Sequence, residues 1–164
     1  MLSGFLTITN TSTSAGSAGK ISYVAVGILS GTTQIASNAA PTITSGYQIA
    51  TLTVNPSSTS SQYALWFSTF VDVSSNNHNV TAVVWRTVGG VNTIVGVQSV
   101  NVTNAARPQA LSITLIDAPA TTSAVTYSIR VGMDASGTSY VNQYSNGNSV
   151  GGTATSDFIV QEIL

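Results

Sequence analysis

The sequence predicts an all-β protein, and three observations carry that prediction. Serine and threonine together supply 47 of the 164 residues. The β-branched Val and Ile number 19 and 12 against 8 leucines, and only nine side chains are charged. Turn-forming residues recur about every 8–14 positions between short apolar runs. A helical bundle would need a Leu/Ala/Glu/Lys-rich stripe, and no stretch long enough for a helix shows a 3.6-residue period. Glycine without a strict period excludes collagen, the lack of heptads excludes a coiled coil, and 43% hydrophobic residues exclude a disordered tail. The length suits one domain with a real core, and short strands at this spacing suit a sandwich or a barrel.

The elements follow in order. Phe5 to Thr9 alternates weakly, and Thr11 to Gly19 reads as a Ser/Thr/Ala/Gly connector. Lys20 to Ile28 is apolar on both faces after Ser22, as a strand covered on both sides would be. Gly46 to Val54 alternates, with Tyr47, Ile49, Thr51 and Thr53 opposite Gln48, Ala50, Leu52 and Val54. Asn55-Pro56-Ser57-Ser58 stops it, because Pro56 offers no ladder donor. Tyr63 to Val73 is the most aromatic strand. Tyr63, Leu65, Phe67, Thr69 and Val71 share one face, and Trp66, Phe70 and Asp72 the other. A polar loop, Ser74 to Asn79, leads to strands Val80 to Thr87 and Val91 to Val102. These flank Gly89-Gly90, a hairpin turn that uses glycine at positive φ. Leu111 to Ile116, Val125 to Met133, Tyr140 to Tyr144 and Phe158 to Ile163 complete about ten strands.

The net charge is −1, from four Lys and Arg against five Asp and Glu. Phosphate backbones and anionic lipids are bound by clusters of Lys and Arg, so neither nucleic acid nor a membrane is an expected partner. Without cysteine there is no thiolate metal site, disulfide framework or redox chemistry. Met1 to Ile8 carries no basic region and no long apolar run, so no signal peptide is expected. No segment approaches the roughly 20 apolar residues of a membrane span.

From about Gly46 onward the order of landmarks resembles the globular heads of bacteriophage tail fibres and spikes. Those heads are jelly rolls similar to tumour-necrosis-factor-like trimeric heads. The resemblance rests on Ile116-Asp117-Ala118-Pro119 before a Thr/Ser/Ala run, then Val125-Thr126-Tyr127-Ser128-Ile129, then Gly137 to Asn142. It ends on Ser156 to Ile163, after a Gly/Asn loop; the earlier hairpin, with Arg86 before Gly89-Gly90, also fits. It covers about 120 of the 164 residues. It implies a jelly-roll β-sandwich and a homotrimer, each subunit packing one sheet on its neighbours. It also implies a virion-surface location beside other virion proteins, with binding to a host receptor. Residues 1–45 are then N-terminal strands for attachment, and 46–164 the head, as one continuous unit. The short N-terminal region keeps an alternative open, a capsid decoration or cement protein.

The residues offer little catalytic chemistry. Acid–base work needs two or more titratable groups in one pocket. The acids are Asp72, Asp117, Asp134, Asp157 and Glu162, with His78 the single histidine and no G-x-S-x-G elbow. His78 reads as a solvated loop residue, and Asp117 and Asp134 as turn residues. No enzyme activity, metal or cofactor is expected; a shared ion on a threefold axis would turn first to His78 and Asp72. Candidate contacts to a host glycan or protein fall in two polar loops. One holds Asn76, Asn77 and His78, the other Tyr140, Tyr144 and Asn146, because aromatic faces beside amide donors suit saccharides. Trp66, Trp85, Phe158 and Val160 are candidates for the core or the trimer interface. A surface with so few charges fits burial of one face against identical neighbours.

Overall fold

The fold is built around β4 (Gln62–Val73), whose alternation is the one read from the sequence. Tyr63, Leu65, Phe67, Thr69 and Val71 point inward and are buried, while Trp66 and Phe70 remain on the outer face. The computed structural model describes residues 21–163. The strand expected over Phe5 to Thr9 and the connector Thr11 to Gly19 lie outside the described residues.

Among the described residues the remaining strands are β1 (Ile21–Val26), β2 (Leu29–Gly31), β3 (Tyr47–Val54), β5 (His78–Val88), β6 (Val91–Val102), β7 (Gln109–Asp117), β8 (Val125–Met133), β9 (Ser139–Val141) and β10 (Ser156–Ile163). One sheet has the order β1-β10-β4-β9-β2, with β7 on the other edge of β4. The second has the order β3-β8-β5-β6. All pairings are antiparallel. The chain crosses between sheets after β2, β3, β4, β6, β7 and β8, and this interleaving makes the sandwich a jelly roll.

The inner faces form one continuous core. Phe158 and Val160 of β10 meet Tyr127 and Ile129 of β8 there, together with Phe67 and Val71 of β4. Tyr63 and Tyr127 pack with ring centroids 5.8 Å apart at 60°, the tilted arrangement that aromatic quadrupoles favour. Deleting a ring from such a core costs about 3–5 kcal/mol.

Several sequence expectations need correction. Ile49 does not share a face with Thr51, because a bulge between Gln48 and Ala50 inserts a residue and Ile49 and Ala50 both become buried. β1 is covered on its inner side only: Val24 and Val26 are buried and Tyr23 and Ala25 half-buried. The strand expected over Tyr140 to Tyr144 ends at Val141, because Asn142 takes a left-handed φ of 58°. The three-residue β2, too short to show a period, was not anticipated.

Residues 32–46 cross the outer face of the second sheet as a strap. Ile35 N–H donates to Met133 O at 3.0 Å, and Gly46 N–H to Gln34 O at 2.9 Å. The Arg130 guanidinium donates to Ser45 O at 2.9 Å and Gly46 O at 2.6 Å. Ile35 packs with Val83 and Trp85 into a small second core. Gly132 makes this approach possible, since a Cβ there would lie 2.6 Å from Thr33 O.

Candidate functional site

Antiparallel pairing places the β4–β5, β6–β7 and β8–β9 connections, with the segment after β9, at one end of the sandwich. Ile21, Gln62, the Gly89-Gly90 hairpin and Ile163 lie at the other.

Asp72 ties the loops together. By strand parity it faces outward beside Phe70, yet it is fully buried, because the β6–β7 loop and the segment after β9 fold over it. Its Oδ1 accepts from Val73 N–H at 2.9 Å. Its Oδ2 accepts from Ala106 N–H at 2.9 Å and Ser145 N–H at 2.7 Å. Three backbone amides thus solvate the carboxylate in place of water, which a buried charge requires. Ala106 adopts a left-handed φ of 62°, a conformation disfavoured for a residue with a Cβ.

The β4–β5 loop is held from two sides. Asn76 Oδ1 accepts from Ala105 N–H at 2.7 Å. Asn77, left-handed at φ 61°, donates its N–H to Thr103 O at 3.3 Å. On the other side Ser74 N–H donates to Thr138 O, and Thr138 N–H to Ser74 Oγ, both at 2.9 Å.

His78 is not a loop residue. It opens β5, and its Nδ1 sits 3.0 Å from Asp134 Oδ1, while Asn79 Nδ2 donates to Asp134 Oδ2 at 2.9 Å. Asp134 therefore does more than start a turn. Burial alone would raise its pKa; the hydrogen bonds from Asn79 and His78 outweigh that and hold it below the usual carboxylate value. Asp72 and His78, the first ligands to test for an axial ion, spend their bonds on different partners.

After β9, Asn142 is a buried junction. Its Nδ2 donates to Val26 O at 2.9 Å, and its Oδ1 accepts from Ser156 Oγ at 2.9 Å and Thr69 Oγ1 at 3.2 Å. Residues 144–148 then form a tight turn. Tyr144 N–H donates to Asn148 O at 2.8 Å, Gly147 N–H to Tyr144 O at 2.9 Å, and Asn148 N–H to Asn146 Oδ1 at 3.0 Å.

The two polar loops singled out in the sequence thus meet at one end, joined through Asp72 and the β6–β7 loop. Asn76, Asn77 and Asn146 are exposed, and His78, Tyr140 and Tyr144 half-buried. Sequence reasoning passed over Arg107, which is exposed on the β6–β7 loop and has no ion pair among the described residues. A lone cation in a polar loop, one residue before Pro108, was the available signal.

Trp85, Phe158 and Val160 lie inside the subunit, while Trp66 is 37% exposed on the outer face of the first sheet. Around it stand Phe70, 42% exposed, and Ile116, 65% exposed, with Ile159 and Tyr23 half-buried. The depression between Trp66, Thr114, Thr155 and Ile159 measures about 320 Å3.

At the opposite end Asp117 is no simple turn residue. Its Oδ1 accepts from Arg86 Nη1 and its Oδ2 from Tyr127 OH, each at 2.7 Å. Burial and this bond to an anion both push the Tyr127 pKa up. Nearby, Glu162 Oε1 accepts from Ser57 N–H, Ser57 Oγ and Ser61 Oγ at 2.6–2.7 Å. Among the described residues no three His, Cys, Asp or Glu side chains group so that they could hold a metal ion. No helix among them is long and apolar enough to cross a membrane.

No family model matches this chain, and no curated protein matches it. Solved structures are similar at low identity. A CBM4 structure is 14% identical with a TM-score of 0.40, over 87% of this chain and 81% of that one. The Gx strain of infectious bursal disease virus gives 12% identity and a TM-score of 0.43, over 88% of this chain and 36% of that one. The VP2 subviral particle of infectious bursal disease virus gives 14% and 0.40, over 88% and 37%. This chain spans little more than a third of those viral chains.

Proposed function

We propose that this chain is a non-enzymatic virion-surface protein, the head of a phage fibre or spike, which assembles as a homotrimer and binds a host receptor through the Asp72 loop end. The observation that carries the reading is the polarity of the sandwich. The loops bearing Asn77, His78, Arg107 and Tyr144 are locked into one surface, and Ile21 and Ile163 are at the far end. A subunit anchored near Ile21 presents that surface outward. Between the ends, the outer face around Trp66, Phe70 and Ile116 is apolar enough to be covered by neighbouring copies. The sequence resemblance to trimeric heads supports the same arrangement.

Purified protein should bind host cells and compete with infection. Replacing Asn77, His78 and Tyr144 together by Ala should weaken that binding, since three truncations at a true contact each remove about 1–2 kcal/mol. The loss should exceed that in Asp134→Asn, which breaks the His78 bond without touching the exposed contacts. Protein that ignores host cells but binds and stabilises emptied capsids would overturn the receptor reading in favour of a decoration protein.

A further inference from the structure

We infer that Asn146 is a site of spontaneous, non-enzymatic deamidation, which turns the presented loop end from neutral amide to carboxylate as the protein ages. Of the 12 asparagines in the chain, Asn146 is the one followed by glycine. Both residues are exposed, and a Cβ built on Gly147 would meet nothing within 4 Å. Glycine brings no Cβ of its own to hinder attack by the Gly147 nitrogen, which is the nucleophile.

The step balances with water alone. The Gly147 backbone N–H gives its proton to solvent base, and the nitrogen bonds to Asn146 Cγ. The Cγ–Nδ2 bond breaks, ammonia leaves, and a five-membered succinimide remains. Water then opens the ring at either carbonyl, giving aspartate or isoaspartate. The Asn148 N–H that donates to Asn146 Oδ1 at 3.0 Å is placed to favour the negative charge that grows on this oxygen during attack. One restraint opposes the reaction: the Gly147 N–H is held by Tyr144 O at 2.9 Å, so the turn must open before attack. The reaction is accordingly slower here than in a free peptide, and faster than at the other asparagines.

The electrostatic consequence is large for so uncharged a chain. Each conversion takes the net charge from −1 to −2. Asn146 follows Ser145, and Arg107 follows Ala106, and the amides of Ser145 and Ala106 bind the same oxygen of Asp72. The new carboxylate therefore arises on the same loop end as the exposed Arg107. The reaction depends on the turn and not on what this end binds.

The test is a time course of the purified full chain in mildly alkaline buffer, read by peptide mapping with mass spectrometry and by isoelectric focusing. A peptide spanning 143–149 runs in parallel, with Asn146→Ser as the variant that lacks the carboxamide. The expected result is a gain of one mass unit confined first to Asn146, split between aspartate and isoaspartate, with an acidic shift of one charge. It should lag the peptide and be absent in Asn146→Ser. Two outcomes overturn the inference: Asn146 intact after the peptide has fully converted, or another asparagine converting first.

Discussion

Asp72 and Ser145, 73 positions apart in the chain, are joined by a 2.7 Å hydrogen bond from the Ser145 backbone N–H to the Asp72 carboxylate. The same oxygen accepts from Ala106, so one atom fixes the relative position of two loops that local sequence leaves free.

Asp72→Asn should therefore loosen the loop end selectively. An amide has one acceptor oxygen, and its NH2 group would face a donor that the carboxylate satisfied. Loss of charge-assisted bonds of this kind costs about 2–3 kcal/mol. Hydrogen exchange should show the Ala106 and Ser145 amides deprotected, while Ile129 and Phe158 in the core keep their protection. Uniform deprotection across the sandwich would refute the local role.

Asp134 should contribute to the acid sensitivity of the fold. Its pKa in the folded protein lies below the unfolded value, so its contribution to stability is fully present above about pH 4 and is lost as pH falls through the folded pKa. Melting temperature followed from neutral to acid should fall less steeply for Asp134→Asn than for the parent. Identical slopes would assign the acid sensitivity elsewhere.

The two aromatic positions on neighbouring strands should separate assembly from folding. Phe158 is fully buried, and Phe158→Ala should cost about 3–5 kcal/mol. Trp66→Ala should cost the subunit about 1 kcal/mol or less, as an exposed position does, yet shift the oligomer to smaller species in light scattering coupled to size exclusion. A parent that is monodisperse as a monomer would remove the trimer from the proposal.

Gly132→Ala probes the strap over the second sheet. The added methyl would press on Thr33 O and Ile35, and overpacking of this sort costs about 1–3 kcal/mol. Proteolysis within residues 32–46 should quicken before the global melting temperature falls far. A variant as resistant as the parent would mean that the strap yields without detaching.

The strands were legible because side-chain alternation is a local property. β4 declared its inner face through Tyr63, Leu65, Phe67, Thr69 and Val71, and the β5–β6 hairpin through Gly89-Gly90. The bulge at Ile49 was not legible, since Ile49 and Ala50 are both apolar and either register satisfies the pattern. Asp72 was hidden for another reason. Its parity is outward, and the cover comes from Ala106 and Ser145, 34 and 73 positions away. The polar loops could be named from composition, but their meeting at one end is a consequence of topology. His78 was misplaced because its partner, Asp134, is 56 residues on.

A carboxylate held by amide dipoles has no counter-ion to lose. Mobile ions weaken attraction between exposed charges separated by more than a Debye length, about 8 Å at 0.15 M and 3 Å at 1 M. They cannot reach Asp72, which is sealed from water and bound by neutral donors. A loop end stitched by surface lysine–glutamate pairs would slacken in brine and tighten in fresh water. At Asp72 this loop end is held by bonds that salt does not screen, so the protection of the Ala106 and Ser145 amides should be the same at low and at high ionic strength.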